Sequence, residues 1–90
     1  MRIKHKELRR FAATGSTRGI DAAMTGKLNR ILSALDAATT PAQLQQAAFR
    51  LHPLRGDRTG YWSIRVTRNW RVTFRFVDGV AVDVNLIDYH

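Results

Sequence analysis

The sequence predicts an α+β fold in which two or three N-terminal helices pack on one face of an antiparallel sheet. The first observation is a change of period, because apolar residues recur at helical spacing before Phe49 and at every second position after it. The second is that short turn sequences separate the alternating segments, which indicates consecutive hairpins. Ninety residues, 44% of them hydrophobic, suit one small folded unit, and we expect a single domain over residues 1–90.

Helical spacing appears in two segments of the first half. The first runs over residues 5–13, and Gly15 is expected to end it. The second is a longer helix to about Ala38, for which Asp21 is the predicted N-cap. Its apolar positions form a stripe on one side of the helix, Met24, Leu28, Ile31, Leu32 and Leu35.

Two shorter elements flank this helical region. Thr40 followed by Pro41 resembles a cap with proline at the first helical position, so we predict a short helix from Pro41 to Ala48. Residues 1–4 are short and could form an edge strand. The helices are expected to supply the core and the scaffold rather than reactive groups.

Three segments of the second half alternate between apolar and polar residues, over 61–66, 70–76 and 80–86. The turns between them fall at 67–69 and at 78–79, where the Asp-Gly pair is a strong hairpin signal. One face of the predicted sheet is apolar: Trp62, Ile64, Val66, Trp70, Val72, Phe74, Phe76, Val80, Val82, Val84 and Leu86. The other carries Arg65, Arg71 and Arg75. We expect the helices to cover the aromatic face, whose residues then act as core rather than in base stacking.

The chain is strongly basic, with 15 Lys and Arg residues against seven Asp and Glu and a formal net charge of +8. Only Lys4, Lys6 and Lys27 are lysines, so the excess is nearly all arginine. Guanidinium stays charged, binds phosphate through a planar fork and stacks on bases. The balance therefore favours a nucleic acid or ribosome partner, with solubility or an acidic protein partner as the alternative.

Composition argues against several other classes of protein. There is no cysteine, and His5, His52 and His90 are scattered, so we expect no disulfide, no metal and no cofactor. No apolar run is long enough for a signal peptide or a membrane span. The expected location is the cytoplasm, with no membrane partner.

Two sets of residues could carry chemistry. The arginine row Arg65, Arg71 and Arg75 could bind a phosphodiester backbone, or it could be a solvated polar face on which Asp83 pairs with one arginine. The second set is His52, in a loop shaped by proline and glycine, with the terminal Asp88, Tyr89 and His90. Imidazole, phenol and carboxylate groups suit the proton transfers of RNA cleavage, although a lone histidine in such a loop is often structural.

The chain resembles the HigB family of bacterial toxins in four segments: RLHPLRGD at 50–57, GYWSIRV at 60–66, NWRVTFRF at 69–76 and DYH at 88–90. The loop HPLRGD and the terminal DYH are the most specific of these segments. The resemblance implies the RelE/ParE fold, in which a few helices pack on a curved antiparallel sheet. It also implies metal-free cleavage of messenger RNA in the A site of the 70S ribosome.

The resemblance further implies which residues act and which molecules bind. The family's catalytic histidine, acid, tyrosine and histidine match His52, Asp88, Tyr89 and His90, and its basic residues match Arg55, Arg65 and Arg71. The expected partners are a HigA-like helix-turn-helix antitoxin, the ribosome with its mRNA, and promoter DNA only through the antitoxin complex.

Two departures from the family pattern bear on the RNA surface. Arg55 stands where lysine is common, and the turn at 67–69 lacks the usual glycine and carries an additional cation. Both suggest changed affinity rather than lost activity. The alternatives are a ParE-like toxin that binds DNA gyrase and cleaves nothing, and an inactive basic module that binds nucleic acid.

Overall fold

The computed structural model describes residues 1–89; His90, a predicted catalytic residue, lies outside the described residues. Helices α1 (Lys6–Thr14) and α2 (Thr25–Ala37) precede a four-stranded antiparallel sheet. Its strands lie in chain order, as β1 (His52–Pro53), β2 (Trp62–Arg65), β3 (Trp70–Val77) and β4 (Val80–Asp88). The predicted α+β class and the antiparallel meander are confirmed.

Local signals in the chain define both ends of α1. The Nδ1 atom of His5 accepts a hydrogen bond from the backbone N–H of Leu8 at 3.1 Å, which caps the first turn. At the other end, Gly15 has a left-handed φ of 78° and its N–H donates to the carbonyl of Phe11. The helix lies within one residue of its predicted range.

The predicted stripe of α2 is confirmed, because all five of its apolar residues are buried. The start of the helix differs in detail from the prediction. The carboxylate of Asp21 accepts from the N–H of Ala23 at 2.9 Å and caps a 3-10 turn over Ala22–Met24, which leads directly into α2. Asp21 is therefore a cap, as predicted, but of a tighter first turn.

The predicted helix from Pro41 to Ala48 is wrong as a continuous element. The chain instead forms two 3-10 turns, Pro41–Leu44 and Ala47–Phe49. The side chain of Gln43 accepts from the N–H of Thr39 at 2.7 Å, which stabilises the first turn. The two turns are separated because the backbone leaves helical geometry at Gln45, where ψ is 64°, and at Gln46, where ψ is 144°.

Turn geometry determines how the strands connect. Asp78 and Gly79 both have positive φ, 51° and 75°, as a type I′ hairpin requires, and they join β3 to β4 as predicted. Beyond β4, Ile3 forms a parallel bridge with Val84. The expected edge strand at residues 1–4 is thus present as a single bridge.

The predicted face of β4 is wrong in its first half. Thr73 pairs with Asn85, whereas Arg75 pairs with Val82, so the register shifts between them. The extra residue lies near Asp83, whose φ of 52° marks a β-bulge. Strict alternation puts Val82 on the apolar face, but the bulge reverses the order: Ala81 joins the apolar cluster, and Val82 is buried on the other side of the sheet, opposite Arg75.

The helices cover one face of the sheet, where a single apolar cluster forms. Its largest fully buried members are Phe74, Leu8, Leu28, Ile31, Leu35, Leu44, Ile64, Val72 and Val84. Trp62, Trp70 and Phe76 are partly buried against this cluster, which supports their predicted role as core. We call the other side the open face; it carries His52, Tyr61, Ser63, Arg65, Arg71, Thr73, Arg75, Val82, Asp83, Asn85, Ile87 and Tyr89.

Candidate functional site

Arg71 and Tyr89 meet at one end of the open face. The guanidinium carbon of Arg71 lies 5.6 Å from the centre of the Tyr89 ring. The backbone N–H of Tyr89 donates to the carbonyl of Asn69 at 2.6 Å, which holds the tyrosine beside the β2–β3 turn. Tyr89 is nevertheless exposed, so its phenol is accessible to a ligand that lies on the face.

Arg71 also organises that turn. Its Nη1 atom donates to the carbonyls of Thr67 at 2.7 Å, Arg68 at 3.0 Å and Trp70 at 3.1 Å. Because Nη1 carries two protons, at least one of them is shared between two carbonyls. Arg71 therefore has a structural role in addition to the phosphate-binding role that the sequence predicts.

Positive charge is concentrated around Arg71. Arg65 is its cross-strand partner, and like charges in that position repel each other. Burial lowers the pKa of Lys27 on α2, and the nearby guanidinium groups of Arg65, Arg30, Arg50 and Arg71 lower it further. The carboxylates of Asp36, Glu7 and Asp83 pair elsewhere, with Met1, His5 and Arg75 respectively. This end of the face is suited to an anion.

Arg75 is differently placed. Its Nε atom donates to Oδ2 of Asp83 at 2.7 Å, and the hydroxyl of Tyr61 donates to the same oxygen at 3.0 Å. The hydrogen bond from Arg75, with that from Tyr61, lowers the pKa of Asp83, and the bond to Asp83 raises the pKa of Arg75. The sequence left open that Asp83 pairs with one arginine of the row, and that arginine is Arg75.

His52 lies on the open face at the opposite edge of the sheet. It is exposed on β1 and pairs with Ser63, which in turn pairs with Thr73. Ser63 and Thr73 are both buried, and within residues 1–89 the Thr73 hydroxyl has no hydrogen-bond partner. Arg55 follows this strand, exposed, at the start of a 3-10 turn. The HPLRGD loop therefore forms the rim of the face.

The predicted catalytic residues divide into two groups. His52 and Tyr89 lie on the same face, but β1 and β4 are its two outer strands, three strand spacings of about 4.8 Å apart. Asp88 pairs with Trp70, so its side chain alternates away from Tyr89 toward the helix-covered side. A bound strand, rather than a direct contact, would have to connect His52 with Tyr89.

Three contributors to this surface were not among the residues singled out from the sequence. Tyr61 could have been found from the alternation of the strand. It precedes Trp62, whose side chain points to the apolar face, so the side chain of Tyr61 points to the face that carries the arginines. Arg58 contacts the Tyr61 ring from a 3-10 turn, and Lys27 approaches Arg65 from α2. The first contact joins residues three apart in one turn, where the Tyr61 N–H also donates to the Arg58 carbonyl, whereas the second depends on how α2 packs against the sheet.

Comparison with known proteins identifies the family. A family model described as the RelE-like toxin of type II toxin-antitoxin system HigB matches residues 1–90. The chain belongs to the HigB-like toxin family. It is 46% identical over 88 residues to Endoribonuclease HigB of Proteus vulgaris, covering 98% of this chain and 96% of that protein. It is 37% identical over 68 residues to Toxin HigB-1 of Vibrio cholerae, covering 74% and 72% of the two chains. The resemblance to HigB toxins is confirmed.

Solved structures support the fold of this HigB-like toxin. YoeB in the YoeB–YefM complex from Staphylococcus aureus matches with a TM-score of 0.62 at 16% identity, covering 99% of this chain and 93% of that one. A YafQ variant from E. coli matches with a TM-score of 0.60 at 18% identity, covering 98% and 93%. As the toxin of a type II system, a HigB-like protein has an antitoxin partner. Within residues 1–89, no helix has the length and apolarity that a bilayer crossing requires.

Proposed function

We propose that this chain is an endoribonuclease that cleaves messenger RNA in the A site of the translating ribosome. The observation that carries the proposal is 46% identity, over 98% of the chain, to a protein named Endoribonuclease HigB. The open face supports it, because Arg71 lies against the exposed ring of Tyr89 and Arg65 is the cross-strand partner of Arg71. Such a surface suits a polyanion that must also meet proton-transferring groups.

The proposed chemistry is attack of a ribose 2′-oxygen on the adjacent phosphorus. The 2′-O–P bond forms as a base takes the 2′-hydroxyl proton, and the P–O5′ bond breaks as an acid protonates the leaving oxygen. The products are a 2′,3′-cyclic phosphate and a 5′-hydroxyl. We assign these proton transfers to the set His52, Asp88, Tyr89 and His90, and stabilisation of the charged phosphate to Arg71 with Arg65 and Arg55.

Within this set, the position of each side chain suggests its part. Tyr89 would transfer a proton beside a cation, since its ring contacts Arg71. His52 would act from the rim, on the other side of a strand laid across β2 and β3. The register of Asp88 suits it better to orienting a neighbour than to touching the reacting phosphate.

We further propose that the reaction needs no metal ion. Guanidinium groups can take the role of a metal in stabilising the charge that develops on phosphate. EDTA is therefore expected to leave the cleavage rate unchanged once the ribosomes have been supplied with enough free Mg²⁺ to stay assembled. A rate that falls with removal of a trace transition metal, and returns when that metal is restored, would contradict this part of the proposal.

A translating system with purified components tests the activity. We expect the wild-type chain to produce new 5′-hydroxyl ends on ribosome-bound mRNA, and His52→Ala and Tyr89→Phe to abolish them. Arg18→Ala is the matched control, because Arg18 is an exposed cation in the α1–α2 loop. Equal cleavage by His52→Ala, Tyr89→Phe and wild type would refute the assigned site.

Expression of the chain and its variants in cells distinguishes the two alternatives. Broken DNA with intact transcripts would indicate a ParE-like toxin acting on gyrase. Growth arrest that survives His52→Ala but is relieved by Arg71→Ala would indicate a basic module that binds nucleic acid without cutting it.

We propose a HigA-like helix-turn-helix protein as the antitoxin, with promoter DNA bound only through the toxin–antitoxin complex. We also propose that the chain acts in the cytoplasm, where it would meet the 70S ribosome, and that residues 1–90 act as one domain. Co-expression with the neighbouring helix-turn-helix reading frame should abolish both growth arrest and the new 5′-hydroxyl ends.

A further inference from the structure

A second cationic group occupies the other end of the open face. The guanidinium carbon of Arg58 lies 5.6 Å from the centre of the Tyr61 ring, and that of Arg75 lies 5.9 Å from the same centre. Asp83 accepts hydrogen bonds from both Tyr61 and Arg75. We refer to Arg58, Tyr61, Arg75 and Asp83 as the Tyr61 cluster.

The guanidinium groups of the cluster have N–H donors that its internal hydrogen bonds do not use. Its two guanidinium groups exceed its one carboxylate by a unit of positive charge. The bond to Asp83 uses Nε of Arg75, and a guanidinium carries further N–H donors on its two Nη atoms. The side chain of Arg75 is 42% exposed, so these donors are within reach of solvent and of an anion.

The position of the cluster relates it to the proposed cleavage site. Arg75 lies four residues along β3 from Arg71 and on the same face, on the order of 13 Å away. A single polynucleotide strand that contacts Arg71 can therefore continue along the face to Arg75. Aromatic rings combined with arginines are the usual surface for single-stranded nucleic acid, because stacking and phosphate binding both tolerate any sequence.

We propose that Arg58 and Arg75, stacked on Tyr61 and held by Asp83, form a second phosphate-binding subsite for the RNA strand. This inference rests on the proposed function, since it assumes that RNA is the ligand of the open face. The subsite binds a neighbouring phosphate of the same strand and takes no part in breaking the bond. Asp83 is a positioning residue, because it acts through Arg75 and Tyr61.

The substitution Asp83→Asn separates positioning from simple charge. Removing a negative charge from a basic surface should strengthen RNA binding if only net charge matters. If Asp83 positions Arg75, the same substitution should weaken binding several-fold, because the guanidinium is no longer held. Asparagine tolerates the left-handed backbone at this position, so the bulge should survive.

The binding measurement uses a short single-stranded RNA labelled with a fluorophore and read by anisotropy, in a His52→Ala background that prevents cleavage. Arg58→Ala should weaken binding several-fold and reduce the salt slope by roughly 0.7, as expected for one lost contact to single-stranded phosphate. Arg18→Ala, which removes an equal charge from the α1–α2 loop, is the control.

Each outcome decides the inference. Tighter binding by Asp83→Asn, an Arg58→Ala variant indistinguishable from Arg18→Ala, or no binding of the strand would overturn it. Failure of the proposed function is a separate result, because it appears as absence of 5′-hydroxyl ends with the wild-type chain on ribosomes. A chain that binds RNA through Arg58 and Arg75 but never cuts it would retain the subsite and lose the nuclease.

Discussion

Arg71 links the ring of Tyr89 to the backbone of the β2–β3 turn. Its guanidinium carbon lies 5.6 Å from the ring centre, and its Nη1 atom donates to three carbonyls of the turn. These contacts hold Tyr89 against Arg71 of β3 and against the turn that precedes this strand. Stability and activity should therefore both respond to changes at this one side chain, and they can be separated by the choice of substitution.

The Arg71→Ala substitution should destabilise the fold and reduce cleavage. It removes the donor to three turn carbonyls and the cation above Tyr89, with an expected loss of about 1–3 kcal/mol in the free energy of unfolding. Arg71→Lys keeps the charge without the planar fork and should recover only part of either property. Urea denaturation and single-turnover cleavage measure the two effects. An Arg71→Ala variant as stable as wild type would contradict the turn-organising role.

The Tyr89→Phe substitution should separate chemistry from structure. Phenylalanine keeps a ring for Arg71 to contact, so the free energy of unfolding should change by less than about 0.5 kcal/mol. Loss of a proton-transferring hydroxyl should lower the single-turnover rate by roughly a hundred- to ten-thousand-fold. Tyr89→Ala should lose both the rate and part of the stability. If Tyr89→Phe cleaves at the wild-type rate, the phenol transfers no proton.

The pair of Arg75 and Asp83 should make stability depend on acid pH. Its hydrogen bonds, first of all that from Arg75, lower the pKa of Asp83 below its unfolded value, so the folded state holds this proton less tightly than the unfolded state. The resulting stabilisation is complete above the unfolded pKa of about 4 and is lost as the pH falls through the lower folded pKa. Urea midpoints measured from neutral pH to about pH 3 should therefore fall less steeply in Asp83→Asn than in wild type.

A carboxylate outside the pair serves as the control for this experiment. Asp57 is exposed at the start of a 3-10 turn, and Asp57→Asn removes an acid without touching Arg75. The Asp57→Asn variant should keep the wild-type loss of stability between about pH 4 and pH 3. Identical curves for wild type and Asp83→Asn would show that the ion pair contributes nothing measurable.

Local signals account for the elements that sequence analysis predicted well. The Gly15 end of α1, the Asp21 cap, the α2 stripe and the Asp78-Gly79 turn each depend on residues close together in the sequence, so they can be predicted from it. The segment from Pro41 to Ala48 has equally good local signals for a helix. It forms separate turns because the backbone leaves helical geometry at Gln45 and Gln46.

The candidate site was predictable in composition but not in arrangement. Alternation assigns Arg65 and Arg71 to one face, and pairing then brings them together. It cannot show that Arg71 is bonded to the turn, that Asp83 holds Arg75, or that Asp88 alternates away from Tyr89. Those relationships depend on register and on one bulge, which arise from packing between strands rather than from any single segment.

Because of the bulge at Asp83, the structure and simple alternation predict opposite effects for substitutions at residues 81 and 82. Alternation places Val82 in the core and Ala81 outside, so Val82→Asp should be the more damaging substitution on that basis. In the structure Ala81 belongs to the apolar cluster, whereas Val82, which is also buried at 8% exposed, lies opposite Arg75 on the other side of the sheet. Ala81→Asp should therefore cost about 3 kcal/mol or more in the free energy of unfolding, because it buries an unpaired charge. Val82→Asp should cost clearly less, since the new carboxylate lies beside a guanidinium group. Urea denaturation of the two variants under identical conditions measures the difference, and the reverse order would show that β4 runs without the bulge.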